Sequence, residues 1–421
     1  MTDGPRLTQH DIDRLRLLAD RKAEIAQDPV NLERKACWYA LDAGSNERPM
    51  ILAEVMGVRD EKPPLPDSVL QCDDSWARGI EKTLLLEIYQ FDVLKDDHVV
   101  EPFVKTSWKV AVSGYGVEVV QHSADADGRM GARRWDSPIR DLDADFDRLQ
   151  LRTYSVDREA THTEKERLEQ VFGSILPVRI RGDFWWSVGM TWPAIELIGL
   201  ENLMVCMFDN PKGLHRLMAF LRDDYLAFAR WLEREELLSL NNENDYIGSG
   251  SMGYTRSLPA RDWKGGDPVR LKDQWVLLES QETVGVGPEQ FEEFIFPYQL
   301  SLAEKFGRCY YGCCEPVHNR WHILKRLPHL ARVSISPWAD EEFMAEALGR
   351  NIVYSRKPNP TLVSTQSFNE EAIRADLRKT LSAARNCPLE IIMKDVHTLN
   401  NDPTRLPRWV EIAREECERP R

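Results

Sequence analysis

The sequence predicts an α/β fold, a (β/α)8 TIM barrel with an N-terminal helical and hairpin elaboration. Three observations carry this. Apolar runs that read as strands alternate with amphipathic helices along most of the chain, which implies a parallel sheet with right-handed crossovers. Eight such strands can be counted, beginning near 49, 178, 238, 274, 308, 331, 351 and 389. No Gly-rich dinucleotide fingerprint follows any of them, which sets aside a doubly wound nucleotide-binding sheet.

In chain order, residues 8–40 read as helices punctuated at Asp28-Pro29, and Pro49–Met56 as a buried strand carrying one carboxylate, Glu54. Residues 62–69 are a Pro-rich loop and 71–92 a helix. Residues 102–122 alternate like a hairpin turning at Gly114-Tyr-Gly116, and 123–150, rich in Asp and Arg, read as an exposed loop. A helix at 163–172 precedes the strand Val178–Trp185. Helices at 192–208 and 211–237, a strand at 238–244 and a strand at 274–281 follow. A helix at about 288–306 leads into the strand at 308–314, and helix 317–326, strand 331–336, helix 340–348, strand 351–355, helix 368–385, strand 389–396 and helix 405–418 complete the chain. The natural division is 1–175, with the first strand and its insertion, and 176–421, with the rest of the barrel and the site.

The 421 residues carry 55 Lys and Arg against 69 Asp and Glu, a net charge of −14, so neither nucleic acid nor an anionic membrane is expected as a partner. No apolar run reaches the ~18–20 residues of a membrane span, and Met1–Arg34 has no signal-peptide core, so the expected location is cytoplasmic. The eight cysteines form no disulfide framework. Five are scattered, whereas Cys309, Cys313 and Cys314 crowd one strand and its end.

Barrel chemistry collects at the C-terminal ends of strands. Here those ends are polar: Glu54, Asp183, Asn242 to Asn244, Glu279 to Glu282, Cys313 to Glu315, Trp338, Arg356-Lys357, and Lys394, Asp395 and His397. Glu282, Asn244 and Lys357 are the expected catalytic residues; Glu54, Asp183, Tyr254 and Trp338 face the substrate, with Trp185 and Trp186 as further apolar wall. Cys313 and His397 with a carboxylate make a thiolate, imidazole and carboxylate set suited to a catalytic zinc with one open position. The alternative for the cysteines is a pair of core thiols, and period-2 alternation puts Cys313 and Cys314 on opposite faces, with the inward one undecided. His318 and His322, four apart on the following helix, read as packing or surface residues.

Tyr311-Gly-Cys-Cys-Glu-Pro316, then Arg326-Leu-Pro-His-Leu330, Ser334-Ile-Ser-Pro-Trp-Ala-Asp340 and Ser355-Arg-Lys-Pro-Asn-Pro360, resemble the uroporphyrinogen decarboxylase superfamily over roughly residues 175–415. The resemblance is nearest in kind to the zinc- and corrinoid-dependent methyltransferase branch. It implies a zinc site of Cys313, His397 and a carboxylate, or one that includes Cys314, with Glu282 as the first choice of carboxylate, Glu279 and Glu315 in reserve, and Cys313 matching the cysteine of the His-x-Cys motif. Tyr311 stands in place of that histidine, and His397 in place of a cysteine after the last strand. It also implies methyl transfer from a small methylated compound, a methoxylated aromatic among the candidates, to the cobalamin of a separate corrinoid protein. A homodimer is left open. The alternatives are a metal-dependent lyase or hydrolase, a decarboxylase of the superfamily's own kind, and a non-catalytic barrel that binds a small molecule. Decarboxylation of a tetracarboxylate is disfavoured, because Pro49–Met56 offers Glu54 and no arginine.

Overall fold

Six strands form the central sheet: β1 (Met50–Ala53), β2 (Trp275–Leu278), β3 (Arg308–Tyr311), β4 (Leu330–Ile335), β5 (Val353–Arg356) and β6 (Leu389–Met393), in the order β1-β6-β5-β4-β3-β2. The protein is seen in a computed structural model that describes residues 7–45, 48–123, 133–182, 184 and 187–419. β1 runs parallel to β6, and β3 runs parallel to both β2 and β4. Every residue of β1, β2, β5 and β6 is buried, as expected where helical crossovers cover both faces of a parallel sheet. The chain divides into two compact units. One comprises residues 1–109, 157–181 and 355–421, the other 110–156 and 182–354. Among the described residues no helix is long and apolar enough to cross a membrane.

Two of the eight expected strands are absent from this sheet, and side chains explain one of them. Residues 238–244 form no strand. The amide of Asn241 instead grips the β2 backbone, Oδ1 accepting from Trp275 N–H (2.8 Å) and Nδ2 donating to Trp275 C=O (3.2 Å). One side chain thus satisfies the donor and acceptor that a neighbouring strand would have taken. Farther along β2, Val188 N–H donates to Leu277 C=O (2.9 Å), and Ser187 bridges Leu277.

The other missing strand is Val178–Arg181, which pairs in parallel with Val104–Ser107. Lys109–Val112 pairs with Tyr154–Asp157, so 102–122 is not a hairpin: the period-2 pattern was a true sign of strand but held no information on the partner. Val120–Ser123 pairs antiparallel with Arg133–Asp136, which lies in the stretch expected to be loop. The helix expected over 288–306 breaks at Ile295, with Pro297 opening its second half.

In the first unit the free edge of β1 is closed by two aspartates. Asp97 accepts from Ile51 N–H (2.7 Å) and Asp96 from Ala53 N–H (3.0 Å). Asp97 is wholly buried and also receives Arg48 through both Nη atoms (2.9 and 3.0 Å) and Arg414 through Nη2 (3.0 Å). Burial pushes the Asp97 carboxyl up, but Arg48, Arg414 and the Ile51 N–H outweigh it and hold the group below its ordinary value. Its stabilising effect is therefore present above the unfolded carboxylate range and lost as pH falls through the depressed value. Asp97→Asn leaves two guanidinium groups without their buried counter-charge and should cost about 3–5 kcal/mol in urea unfolding at pH 7. A loss below ~1 kcal/mol would show that Asp97 is not the node of this edge.

Candidate active site

β2 and β3 lie in register, Leu278 opposite Tyr311. The residues that follow them, Glu279 to Glu282 and Gly312 to Glu315, therefore leave the sheet side by side. Gly312 adopts φ +96° and donates its N–H to Leu278 C=O (2.8 Å), which ends the pleat at Tyr311. This corrects the alternation expected through Cys314. Instead of pointing to opposite faces, the two thiols lie 3.7 Å apart. Cys314 is exposed and Cys313 half-buried, with Ser249 Oγ 3.9 Å from its sulfur.

Glu315 turns back beneath this corner, accepting from Ser280 N–H (3.0 Å) and Cys313 N–H (2.8 Å). Ser280 Oγ meets Tyr311 Oη at 3.1 Å and receives Arg320 Nη1 at 3.1 Å. Arg320, buried, also donates to the carbonyls of Thr283 and Val286. Tyr311 is wholly buried. It is a core strut here, not a stand-in ligand.

Glu279 is the chemically distinctive group. It is 5% exposed, and its carboxylate packs so tightly on Gly189 that a Cβ there would lie 2.3 Å from Oε1. Gln299, fully buried, binds both walls, Nε2 donating to Glu279 C=O (2.8 Å) and Gly189 C=O (3.1 Å). Burial, then the carboxylates of Glu282 and Glu315, raise the Glu279 acid well above its ordinary value; only the Gln281 N–H opposes them. Glu315 is raised too, by burial, with its backbone N–H donors and Arg320 pulling the other way. Burial and neighbouring carboxylates thus both disfavour ionisation of Glu279, the acid of this cluster that faces a cavity.

Glu279 opens onto a pocket of about 450 Å³, walled by Met190, Trp192, Tyr225 and Phe228, with Arg152 and Glu282 at its polar positions. Glu282 accepts the Thr191 hydroxyl (2.6 Å). Met190 has φ +64°, a left-handed conformation that costs a side chain roughly 1–2 kcal/mol, and it turns the chain from Gly189 into the helix Thr191–Ile198.

The expected site residues divide between the two units. Glu282, Cys313, Cys314, Asn244, Tyr254 and Trp338 belong to the second; Glu54, Lys357 and His397 belong to the first. Asn244 is half-buried in irregular chain instead of at a strand end. Tyr254 is wholly buried, its carbonyl accepting Arg332 Nη2 (3.2 Å), and Trp338 is 67% exposed. Asp183, Trp185 and Trp186 lie outside the described residues. In the first unit, Lys357 Nζ donates to Ser355 Oγ (2.5 Å) and C=O (3.1 Å), and the Ser355 hydroxyl donates to buried Glu390. Burial raises Glu54, with Lys394 opposing. The His397 side chain is exposed; its carbonyl accepts Arg59 N–H (3.0 Å).

Zinc can be weighed against this geometry. Two thiolates on a tetrahedral zinc at ~2.3 Å stand about 3.8 Å apart, close to the separation of Cys313 and Cys314. Among the described residues, however, no group of three or more His, Cys, Asp or Glu side chains is arranged to hold a metal ion. Within the second unit Cys313 and Cys314 would supply two of the four ligands of such a site, and His397 belongs to the first unit.

The sequence reading named Glu279 only as a reserve ligand, although a lone acid closing an apolar strand was a usable signal. Gly189, Tyr225, Phe228, Gln299 and Arg152 carried none.

No family model matches the sequence, and no curated protein does. Among solved structures, a methyltransferase from Methanosarcina mazei is similar at a TM-score of 0.48 and 12% identity, over 91% of this chain and 98% of that one.

A group whose folded-state value is raised weakens the fold once the unfolded chain can ionise. Its cost is absent at low pH, and grows as pH climbs past the ordinary carboxylate range of ~4 toward the raised value. Glu279→Gln should accordingly gain stability over wild type as pH climbs above the ordinary carboxylate range, in urea unfolding. A pH-independent difference would show that Glu279 is ionised in the fold.

Proposed function

We propose that this chain is a methyltransferase of the uroporphyrinogen decarboxylase type that takes a methyl group from a small methylated compound, a methoxylated aromatic, and passes it to a corrinoid protein. The observation that carries the reading is Glu279, a buried carboxylic acid raised well above its ordinary value and facing a pocket with aromatic walls. The corrinoid partner comes from the motif resemblance around Cys313. An ether oxygen is a poor leaving group unless it gains a proton as its bond to carbon breaks.

A ring held against Trp192, Tyr225 and Phe228 can direct its methoxy oxygen toward Glu279. As the methyl–oxygen bond breaks, the methyl group goes to the cobalt nucleophile of the partner, and the oxygen takes the Glu279 proton and leaves as a neutral phenol. Glu279 is then a carboxylate beside Glu282 and Glu315. That charge is unfavourable, which drives recapture of a proton from solvent and resets the site. The Glu315–Ser280–Tyr311–Arg320 network holds the corner in place through the cycle. Zinc, when bound, would supply Lewis acidity at Cys313 and Cys314; every proton step described here belongs to the chain's own residues. A lyase protonating its leaving group would use the same acid, and it differs in needing no corrinoid acceptor.

The test is methyl transfer from an aryl methyl ether to an added, reduced corrinoid protein. Glu279→Gln should lower kcat by roughly 10²–10⁴ with KM little changed. The loss should shrink for a nitrophenyl methyl ether, whose oxygen leaves without help. Full activity in Glu279→Gln, or turnover without the corrinoid protein, would sink the reading. Elemental analysis tests the thiols separately. About one zinc per chain, lost in Cys313→Ser and in Cys314→Ser, is the expected result; a metal-free wild type purified without chelator would remove zinc and leave the acid untouched.

A further inference from the structure

We propose that the pocket is built for an uncharged aryl methyl ether, and that Asp224 and Glu282 exclude rings bearing an anionic substituent. This rests on the pocket being the substrate site, and it goes beyond that reading by fixing the charge of the substrate and naming the residues that select it.

Among the described lining residues Arg152 is the one cation, and it is already committed. Its Nε donates to Asp224 Oδ2 (2.6 Å) and its backbone N–H to Asp224 Oδ1 (2.9 Å), while Nη2 lies 2.5 Å from the same carboxylate. Asp224 is wholly buried, so solvent does not dilute this pairing. The faces of Tyr115, Tyr225 and Phe228 surround the guanidinium at 5.1, 5.4 and 5.7 Å. Tyr225 connects the two polar ends electrostatically. Burial pushes its phenol up to about 12, with Arg152 drawing it down and Glu279 adding to the rise.

With Arg152 held by Asp224, the charged and acidic side chains that remain in the described lining of the pocket are the carboxyl groups of Glu279 and Glu282. A ring carboxylate entering it would give up its hydration and meet like charge, with no cation available to replace the lost water. A methylated ammonium would be drawn to Glu282 and the aromatic faces. Its amine departs uncharged, however, and makes no use of the Glu279 proton. An uncharged aryl ether uses every group: the rings pack on it, Glu279 serves its oxygen, and the Arg152–Asp224 pair is left undisturbed.

The test uses two probes of equal shape, 4-methoxybenzamide and 4-methoxybenzoate, titrated calorimetrically into the full chain at pH 7 without corrinoid protein. The amide should bind wild type at least about tenfold more tightly. Glu282→Gln should narrow that gap, and Asp224→Asn, which releases Arg152, should reverse it. Should Asp224→Asn fail to fold, the half-buried Glu282→Gln still decides. Benzoate binding as tightly as the amide, or a gap that Glu282→Gln leaves unchanged, overturns the proposal. Absence of binding by both probes overturns it together with the assignment of the pocket. Selective amide binding without methyl transfer to a corrinoid protein leaves it standing while the methyltransferase reading falls.

Discussion

A carboxylic acid shut away from water beside two other carboxylates cannot ionise cheaply, and this constraint shapes the centre of the second unit. Glu279 has lost its hydration, and Glu282 and Glu315 oppose a third charge near them. Only one backbone donor, Gln281 N–H, favours its ionised form (3.1 Å from Oε2). Glu315 is buried as deeply but is fed by two flanking N–H groups and Arg320, so the environments of the two acids pull apart. Residues of the same type acquire different roles from what surrounds them.

The structure spends several conformational exceptions on holding that acid. Gly189 leaves no room for a side chain against its carboxylate, Met190 is left-handed, and Gln299 ties both segments together from a separate helix. Gly312 is left-handed where β3 meets the cysteines. Left-handed backbone and close approach thus flank both the acid and the cysteine corner. The Arg152–Asp224 pair shows the same economy: the one cation among the described lining residues is neutralised by a buried partner.

Both edges of the six-stranded sheet are finished by side chains. Asn241 mimics a strand against Trp275, and Asp96 and Asp97 take the outward N–H groups of β1. Exposed ladder groups must find partners somewhere, and short polar side chains can supply them as well as another strand can. This is the physical reason a count of strand-like segments overstated the sheet. Asn241 sits in a stretch whose pattern suits a strand, yet its amide makes the bonds that a strand's backbone would have made.

The sequence by itself determined the α/β class, the six buried strands and most helix limits. Those depend on local apolar runs and on caps such as Asp28-Pro29, which interact within a few residues of one another. It also placed the polar strand ends, Glu279 and Glu282 among them. Only the tertiary structure decided that Glu279 is the acid raised well above its ordinary value, because a shifted carboxyl depends on charges brought in from β3 and on burial against Gly189. Pairing partners were likewise undetermined, since the alternation of Val104–Ser107 is the same whether it meets Lys109–Val112 or Val178–Arg181. The aromatic wall lies on the long helix 211–234, where Tyr225 and Phe228 read as ordinary core until the fold set them against Arg152 and the acid. Periodicity is written locally; proximity between distant segments is not.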